Sequence, residues 1–152
     1  MTRRQLVLLA AGGSAALLAA AYTFQALGWQ PCAMCLWQRW PHVAAVAIGL
    51  LALAIRGPVL PVLGALAAAT TAGIAIFHTG VERKWWDGPA SCTGTGGLDG
   101  LSGADLLSTS DAPALVLCDQ FTPFLFNLSM ANWNAILSVG LVMIWVAAVR
   151  AR

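Results

Sequence analysis

Four cysteines are the residues of this chain whose type and spacing could do chemistry. Cys32 and Cys35 form a close pair with two residues between them, and Cys92 and Cys118 share one long polar segment. Two cysteines at the close spacing can join in a small ring, and the thiolate that reduction releases is stabilised where a helix N-terminus and a cation are near. The pattern favours thiol–disulfide exchange.

The close pair has both of these features beside it in the sequence. Pro31 suits the first position of a helix, which would place the pair in the opening turn, at the positive end of the helix dipole. Arg39 follows Cys35 by four residues and shares a helical face with it. We expect Arg39 to act beside the pair, and an anchor at the membrane interface is the alternative.

The second pair, Cys92 and Cys118, has two interpretations. A disulfide in an exported loop is ordinarily structural. The loop here contains the glycine-rich stretch 93–97, and a mobile loop is better suited to carrying a disulfide between an outside partner and a fixed membrane site. The sequence therefore favours exchange over a structural disulfide.

Other kinds of cysteine site fit less well. A c-type haem attachment would need His where Leu36 stands, and the strand and helix pattern of a thioredoxin domain is missing around the pair. A four-cysteine zinc site usually joins two close-spaced motifs, and the second pair is not close-spaced. A copper site stays open because copper accepts soft ligands, and its candidate ligands are Cys32, Met34, Cys35 and His78.

The elements that must position these cysteines are membrane helices. Hydrophobic residues make up 59% of the 152 residues and charged residues 9%, and the mean hydropathy is +0.77. Such a chain is too apolar for a soluble globular domain, and nothing in it indicates a nucleic-acid partner. Four runs approach the ~20 residues that a bilayer span needs, at about 6–27, 36–55, 59–78 and 130–149.

The predicted fold is therefore all-α: a single integral membrane domain over 1–152, built as an antiparallel bundle of four transmembrane helices. One short loop at about 28–35 and one long loop at about 79–129 join the helices on the cysteine side. Pro41 falls inside the second run, where we expect a kink. Within the long loop the sequence predicts a short helix beginning near 102–105 and a membrane-surface segment at 121–130.

The basic residues predict the orientation of the bundle, because the side richer in Lys and Arg faces the cytoplasm. Arg3, Arg4, Arg56, Arg150 and Arg152 fall on one side, and Arg39, Arg83 and Lys84 fall on the other. Both termini are then cytoplasmic and all four cysteines lie outside. A cleaved export signal at the N-terminus is the alternative to a first span, and we interpret this run as a span because it exceeds the usual signal core.

Several segments together resemble the DsbB family of bacterial disulfide-bond-formation membrane proteins. They are residues 30–39 around the close pair, 77–82 at the end of the third run, 85–92 leading to the third cysteine, 118–119, and 128–135 entering the last run. The resemblance extends along essentially the whole chain. The order of the parts, with the close pair first and the loop pair second, is typical of this family.

The resemblance implies a redox relay in the bacterial inner membrane. Cys92 would form a mixed disulfide with a periplasmic DsbA-like thiol oxidase, and Cys118 would exchange with Cys32. Cys35 would then give electrons to a membrane quinone, either ubiquinone or menaquinone, with Arg39 close to the quinone oxygen. His78 corresponds in position to a family histidine near the quinone, although a lone histidine at the interface can equally be a headgroup or water contact.

One residue departs from the family pattern. Family members often carry an acidic residue just before the arginine, and this chain has Gln38 there. Without that carboxylate we expect the Cys35 thiolate to be at least as well stabilised. Two other classes of function remain open at this stage, a soft-metal carrier and a structural membrane subunit with inert disulfides.

Overall fold

Four long α-helices form the described part of the chain. The computed structural model describes residues 1–89, 92 and 116–151. Its helices are α1 (Arg3–Ala26), α2 (Ala33–Ala54), α3 (Val59–Glu82) and α4 (Met130–Arg150). The all-α prediction is confirmed for these residues.

The four helices pack as a closed bundle. α2 packs on α1 and α3, and α4 packs on α3 and α1. The short connections 27–32 and 55–58 make α1, α2 and α3 run alternately up and down. The start of α2, the end of α3 and the start of α4 therefore meet at one end of the bundle, where the cysteines lie.

Three of these helices are long and apolar enough to cross a membrane. They are α1, α3 and α4 among the residues that the structure describes. α2 has 22 residues, but its first half carries the polar side chains of Gln38, Arg39 and His42, which lower its hydropathy. Polar residues in a membrane helix usually face the bundle interior or a cavity. The prediction that α2 is a fourth span stays a prediction, because α2 is not among the helices apolar enough by composition.

The helix ends differ from the predicted ones where side-chain caps decide them. α2 begins at Ala33, since the Cys32 side chain caps it by accepting from the Cys35 N–H. Pro31 thus lies outside the helix, so its predicted place at the first helical position is wrong, although the cysteine pair does lie at the helix opening. α3 continues to Glu82, so the long loop starts four residues later than expected and His78 lies inside the last turn.

α2 stays helical on both sides of Pro41. A proline lacks the N–H that would bond to the preceding turn, and neighbouring helices can satisfy the carbonyls around it. A contact from a neighbouring helix lies close to this position, since the Thr71 hydroxyl of α3 donates to the Gln38 carbonyl, three residues before Pro41, at 3.2 Å. The kink itself stays a prediction.

The core of the half opposite the cysteines is built around Trp145 of α4, which is fully buried. It packs against small residues of α2 and α3. A Cβ at Gly64 would come within 2.6 Å of the indole ring. Glycine at this position therefore lets α3 approach the tryptophan closely.

The turn between α2 and α3 is fixed by one glycine and one arginine. Gly57 has a φ of +141°, a conformation that residues with a Cβ rarely adopt. The Arg3 guanidinium donates to the Gly57 carbonyl at 2.9 Å, which ties the start of α1 to this turn. This is the end of the bundle away from the cysteines.

Two predictions concern the long loop, and both stay predictions. The short helix expected near 102–105 lies outside the described residues. Segment 121–130 contains a tight turn in which Leu125 pairs with Leu128, and Phe126 and Asn127 take left-handed conformations. Its predicted place on the membrane surface stays a prediction.

Candidate active site

The sulfur atoms of the two cysteine pairs form one chain of contacts. Cys92 and Cys118 are joined in a disulfide. The Cys118 sulfur lies within 4.8 Å of the Cys32 sulfur, which is 2.7 Å from the sulfur of Cys35. Cys32 and Cys35 are free cysteines. The loop disulfide is therefore next to Cys32, and Cys32 is next to Cys35.

Local structure holds each pair in this arrangement. Cys32 precedes the first turn of α2, where helix geometry brings its sulfur to the Cys35 backbone N–H at 3.3 Å. Cys118 donates its backbone N–H to the Cys92 carbonyl at 2.9 Å. An ion pair between Lys84 and Asp119 joins the segment that follows α3 to the residue after Cys118.

The cluster of cysteines is shielded from water. Cys32, Cys92 and Cys118 are 4%, 0% and 1% exposed, and together with Met34 and Val81 they form one apolar cluster. Cys35 is less deeply buried and lines a neighbouring cavity. Thiolates here are therefore protected from unwanted oxidants, while Cys35 remains in contact with the space where an electron acceptor could lie.

The surroundings of Cys32 stabilise its thiolate. The hydrogen bond with the Cys35 side chain is the largest influence, and it lowers the pKa of Cys32 to about 5 from its usual 9.0. A hydrogen bond from His78 and the Cys35 backbone N–H act in the same direction, while burial opposes them. At neutral pH Cys32 is therefore a thiolate and a good leaving group.

His78 reaches Cys32 from the last turn of α3. Its Nε2 lies 3.6 Å from the Cys32 sulfur and 3.9 Å from a carboxylate oxygen of Glu82, one turn further along the same helix. The Ser129 hydroxyl donates to the other Glu82 oxygen. The sequence-predicted histidine is thus brought to the first cysteine pair.

The amide of Gln38 determines which nitrogen of His78 carries the proton. Gln38 Nε2 donates to the Met34 carbonyl at 3.2 Å. Since a carbonyl can only accept, this contact identifies the amide nitrogen. The same nitrogen lies 3.0 Å from His78 Nδ1, which must then accept. The proton of the neutral imidazole is left on Nε2, where it is donated to the Cys32 sulfur.

Arg39 is positioned by two residues of α1. Its guanidinium donates to the Gln25 side-chain oxygen at 2.7 Å and lies 4.7 Å from the centre of the Tyr22 ring. Arg39 and Cys35 line the same cavity. The guanidinium has five N–H donors, so donors remain for a ligand.

The cavity beside Cys35 has a volume of about 390 Å³. Such a volume is within the range of small-molecule sites, which are mostly apolar and carry a few polar groups. Its apolar lining includes Leu17, Leu18, Phe24, Trp29, Trp133 and Leu137, and its polar lining includes Cys35, Gln38, Arg39, His42, His78 and Asn134. The cavity therefore suits a largely apolar small molecule that carries a few polar groups.

Two of these polar residues, His42 and Asn134, were not expected from the sequence. His42 follows Arg39 by three residues and faces the same cavity, and its Nε2 lies 2.9 Å from Asn134 Oδ1. A signal was present, since an ionisable residue inside a predicted membrane span indicates a functional site. Asn134 gave no comparable signal, because its side chain is not ionisable and it lies only four residues after the start of α4.

Three residues that could bind a metal also lie close together here: Cys32 and His78, which belong to the copper set considered from the sequence, and Cys118, which does not. Ligand atoms of Cys32, His78 and Cys118 lie within 4.8 Å of one another. Cys118 is in a disulfide, and a metal is bound by a thiolate. In this oxidation state the cluster therefore offers two of the three ligands, and the proximity of the sulfurs suits exchange better than coordination.

Comparison with known proteins identifies the family. The sequence model of one family, described as Disulfide bond formation protein DsbB, matches residues 3–148. No curated protein and no solved structure gives a significant match. The chain belongs to the DsbB family, whose members are membrane oxidoreductases of disulfide formation and use quinones.

Proposed function

We propose that this member of the DsbB family is a protein-disulfide-generating thiol:quinone oxidoreductase. It reoxidises a periplasmic DsbA-like dithiol and passes the electrons through both cysteine pairs to ubiquinone or menaquinone. The observation that carries the proposal is the continuous contact from the Cys92–Cys118 disulfide through Cys32 to Cys35 and the cavity. A purely structural disulfide has no need of this contact.

The relay proceeds by two disulfide exchanges. A thiolate of the partner attacks Cys92 and breaks the loop disulfide, which releases Cys118 as a thiolate; the second partner thiol then resolves the mixed disulfide and the partner leaves oxidised. Cys118 attacks Cys32 of an oxidised close pair and releases the Cys35 thiolate. Cys92 then attacks Cys118, which restores the loop disulfide and leaves the close pair reduced.

The distances and burial of the cysteines support this order. Cys118 is the loop sulfur that neighbours Cys32, and the loop pair is oxidised while the close pair is free, as expected after the second exchange. Cys92 is fully buried, so the partner's attack requires this residue to become accessible. The low pKa of Cys32, about 5, suits its departure as a thiolate.

The residues around the cavity fit a quinone. A quinone ring is flat and apolar and has a carbonyl oxygen at each end, so it needs apolar walls and hydrogen-bond donors. The cavity supplies aromatic and aliphatic walls and the donors of Arg39. The quinone, when bound, would accept the two electrons that the close pair loses, with one proton from the Cys35 thiol and a second from solvent, because Cys32 is already a thiolate. Arg39 would hold a quinone oxygen, Cys35 would face the ring, and His78 would keep the proton that it donates to the Cys32 sulfur.

The membrane arrangement follows from the same proposal. The single domain spans the bacterial inner membrane four times, with α2 as the fourth span because its polar face lines the cavity. Both termini are cytoplasmic and the cysteines are periplasmic, in keeping with the basic residues. The protein would then link electron transport to the oxidative folding of exported proteins.

Turnover with purified protein tests the proposal. A reduced periplasmic dithiol protein is mixed with the oxidised enzyme, with and without a ubiquinone or menaquinone analogue, and quinone absorbance is followed. We expect quinone-dependent oxidation of the partner that Cys35→Ser abolishes. Turnover that is independent of quinone, or that survives Cys35→Ser, would contradict the electron path.

A soft-metal carrier is the second candidate, and the cluster of Cys32, His78 and Cys118 is the observation in its favour. It requires the loop disulfide to be reduced so that Cys118 becomes a ligand. Stoichiometric Cu(I) binding by the fully reduced protein, together with no turnover on any quinone, would favour this candidate. Cysteines that resist reduction altogether would instead favour a structural subunit.

A further inference from the structure

The segment that begins at Cys118 forms part of the cavity wall. Residues 118–128, which we call the strap, contribute Cys118, Gln120, Thr122 and Phe124 to the cavity lining. Cys118 is also one half of the loop disulfide. One short stretch of chain therefore carries both a sulfur of the relay and a wall of the ligand cavity.

Phe124 is the aromatic contact between the strap and the α1 side of the cavity. Its ring meets Phe24 of α1 edge-on, with centroids 5.1 Å apart, and meets Trp29 edge-on at 6.0 Å. Phe24 and Trp29 line the cavity as well. Edge-to-face ring pairs at such distances are favourable beyond the area that they bury. Phe124 therefore fastens the strap to the opposite wall.

Phe124 also has surface left for a ligand. The residue is 41% exposed although it meets two rings, and it is one of the cavity-lining residues. Trp29 likewise lines the cavity and is 45% exposed. A flat apolar ring in the cavity can therefore pack against these side chains without displacing the strap.

The turn that follows Phe124 is strained. Phe126 and Asn127 have φ angles of +54° and +57°. Asparagine tolerates this left-handed conformation, but phenylalanine rarely adopts it. The turn is held on its other side by α4, because the Trp133 indole N–H donates to the Leu125 carbonyl at 3.1 Å. A strained backbone persists only where its surroundings hold it, and such positions cluster at functional sites.

We propose that Phe124 is a ligand-binding residue, and that a quinone in the cavity packs against it and so holds the strap, and with it Cys118, in place. The inference rests on the proposed function for the identity of the ligand. It adds a coupling between the cavity and the loop disulfide that the electron path itself does not require. The coupling is reciprocal, because a ligand that binds better to the closed strap also stabilises the closed strap. The buried loop disulfide therefore opens to the partner more easily while the cavity is empty.

Amide hydrogen exchange of the strap tests the inference, since exchange measures how often a segment opens. All proteins carry Cys32→Ser and Cys35→Ser, so that the loop disulfide stays intact and no ligand is reduced. Exchange over residues 118–128 is followed by mass spectrometry, without ligand and with a short-chain ubiquinone analogue at ten times its Kd for each protein. The Kd is taken from quenching of tryptophan fluorescence, because Trp29 lines the cavity.

Two phenylalanines of the strap give a matched pair of variants. Phe124→Ala removes the contacts with Phe24 and Trp29. Phe126→Ala is the control, because Phe126 lies in the same turn, is 81% exposed and is not among the residues that line the cavity. If Phe124→Ala does not fold, Phe124→Leu replaces it, since leucine keeps an apolar side chain and loses both edge-to-face contacts.

Without ligand, we expect Phe124→Ala to speed exchange of the strap by about fivefold or more, the least that two edge-to-face ring contacts contribute. Phe126→Ala should speed it by less than about twofold. The analogue should slow exchange in the parent by about tenfold, because opening then requires release of a ligand present at ten times its Kd. This protection should remain in Phe126→Ala and fall below about threefold in Phe124→Ala.

The possible failures point to different parts of the account. Binding of the analogue to the parent without protection of the strap would overturn the coupling. Equal protection in the Phe124 and Phe126 variants would overturn the role of Phe124. If the parent does not bind the analogue at all, the quinone assignment itself fails and the inference falls with it.

Discussion

The role of His78 as a donor to Cys32 can be tested by changing it to leucine. The difference between the usual thiol pKa of 9.0 and the value of about 5 for Cys32 corresponds to about 5 kcal/mol in favour of the thiolate. His78 supplies one of several hydrogen bonds to this sulfur, at 3.6 Å. A hydrogen bond to a charged group is worth roughly 1.5–3 kcal/mol, or about one to two pKa units. We therefore expect His78→Leu to raise the pKa of Cys32 to about 6–7.

The assay is a titration of thiolate absorbance in the ultraviolet. The protein carries Cys92→Ala and Cys118→Ala, so that the close pair alone can titrate, and it is kept reduced. Because the pKa is lowered, Cys32 is a thiolate above pH 5 and becomes protonated as the pH falls through that value. The titration midpoint should move upward in His78→Leu.

The control for this titration is His42→Leu. It removes the other histidine of the chain, which bonds to Asn134 and not to a cysteine. The midpoint in this variant should stay near that of the parent. A midpoint in His78→Leu that differs from the parent by less than about 0.3 pH units would refute the donation from His78, given the magnitude expected for one charged hydrogen bond.

Two further predictions concern the ligand cavity and the core. Arg39→Ala removes the main donor of the cavity, and we expect quinone affinity to fall by about 10- to 150-fold while the KM for the dithiol partner is unchanged; an equal loss for both substrates would contradict this role. Gly64→Ala should lower the Tm, because its Cβ would come within 2.6 Å of the buried Trp145 ring and overpacking costs about 1–3 kcal/mol. Gly73→Ala is the matched control: it meets nothing within 4 Å, and helix propensity favours alanine by up to about 1 kcal/mol, so the same loss in both variants would refute the packing argument.

The helices were largely predictable, and their ends were not. The apolar runs gave four helices at nearly the right places, because burial in a bilayer demands long uninterrupted runs. The ends depend on single side chains. α2 starts after Cys32 because that sulfur accepts the Cys35 N–H, and α3 runs on to Glu82, where His78 and Ser129 contact the carboxylate. Such contacts are formed by the fold and leave no periodic pattern.

The site was predictable only in its local part. The close pair and Arg39 are near one another along a single helix, so their spacing was informative. The network that orients both histidines joins residues far apart in sequence, such as Gln38 with Asn134 and with His78. No spacing rule relates these positions. The proximity of Cys118 to Cys32 was likewise implied by the family resemblance and not by the residues themselves.

Exchange between the two cysteine pairs is tested most directly by leaving one cysteine of each pair. The variant with Cys35→Ser and Cys92→Ser retains Cys32 and Cys118, whose sulfurs lie within 4.8 Å of each other. The reciprocal variant, with Cys32→Ser and Cys118→Ser, is the control, and disulfides are identified by mass spectrometry after mild oxidation without quinone. We predict a Cys32–Cys118 disulfide in nearly all of the first variant and little intramolecular disulfide in the second. Two free thiols in the first variant, or equal disulfide formation in both, would contradict a relay through these two sulfurs.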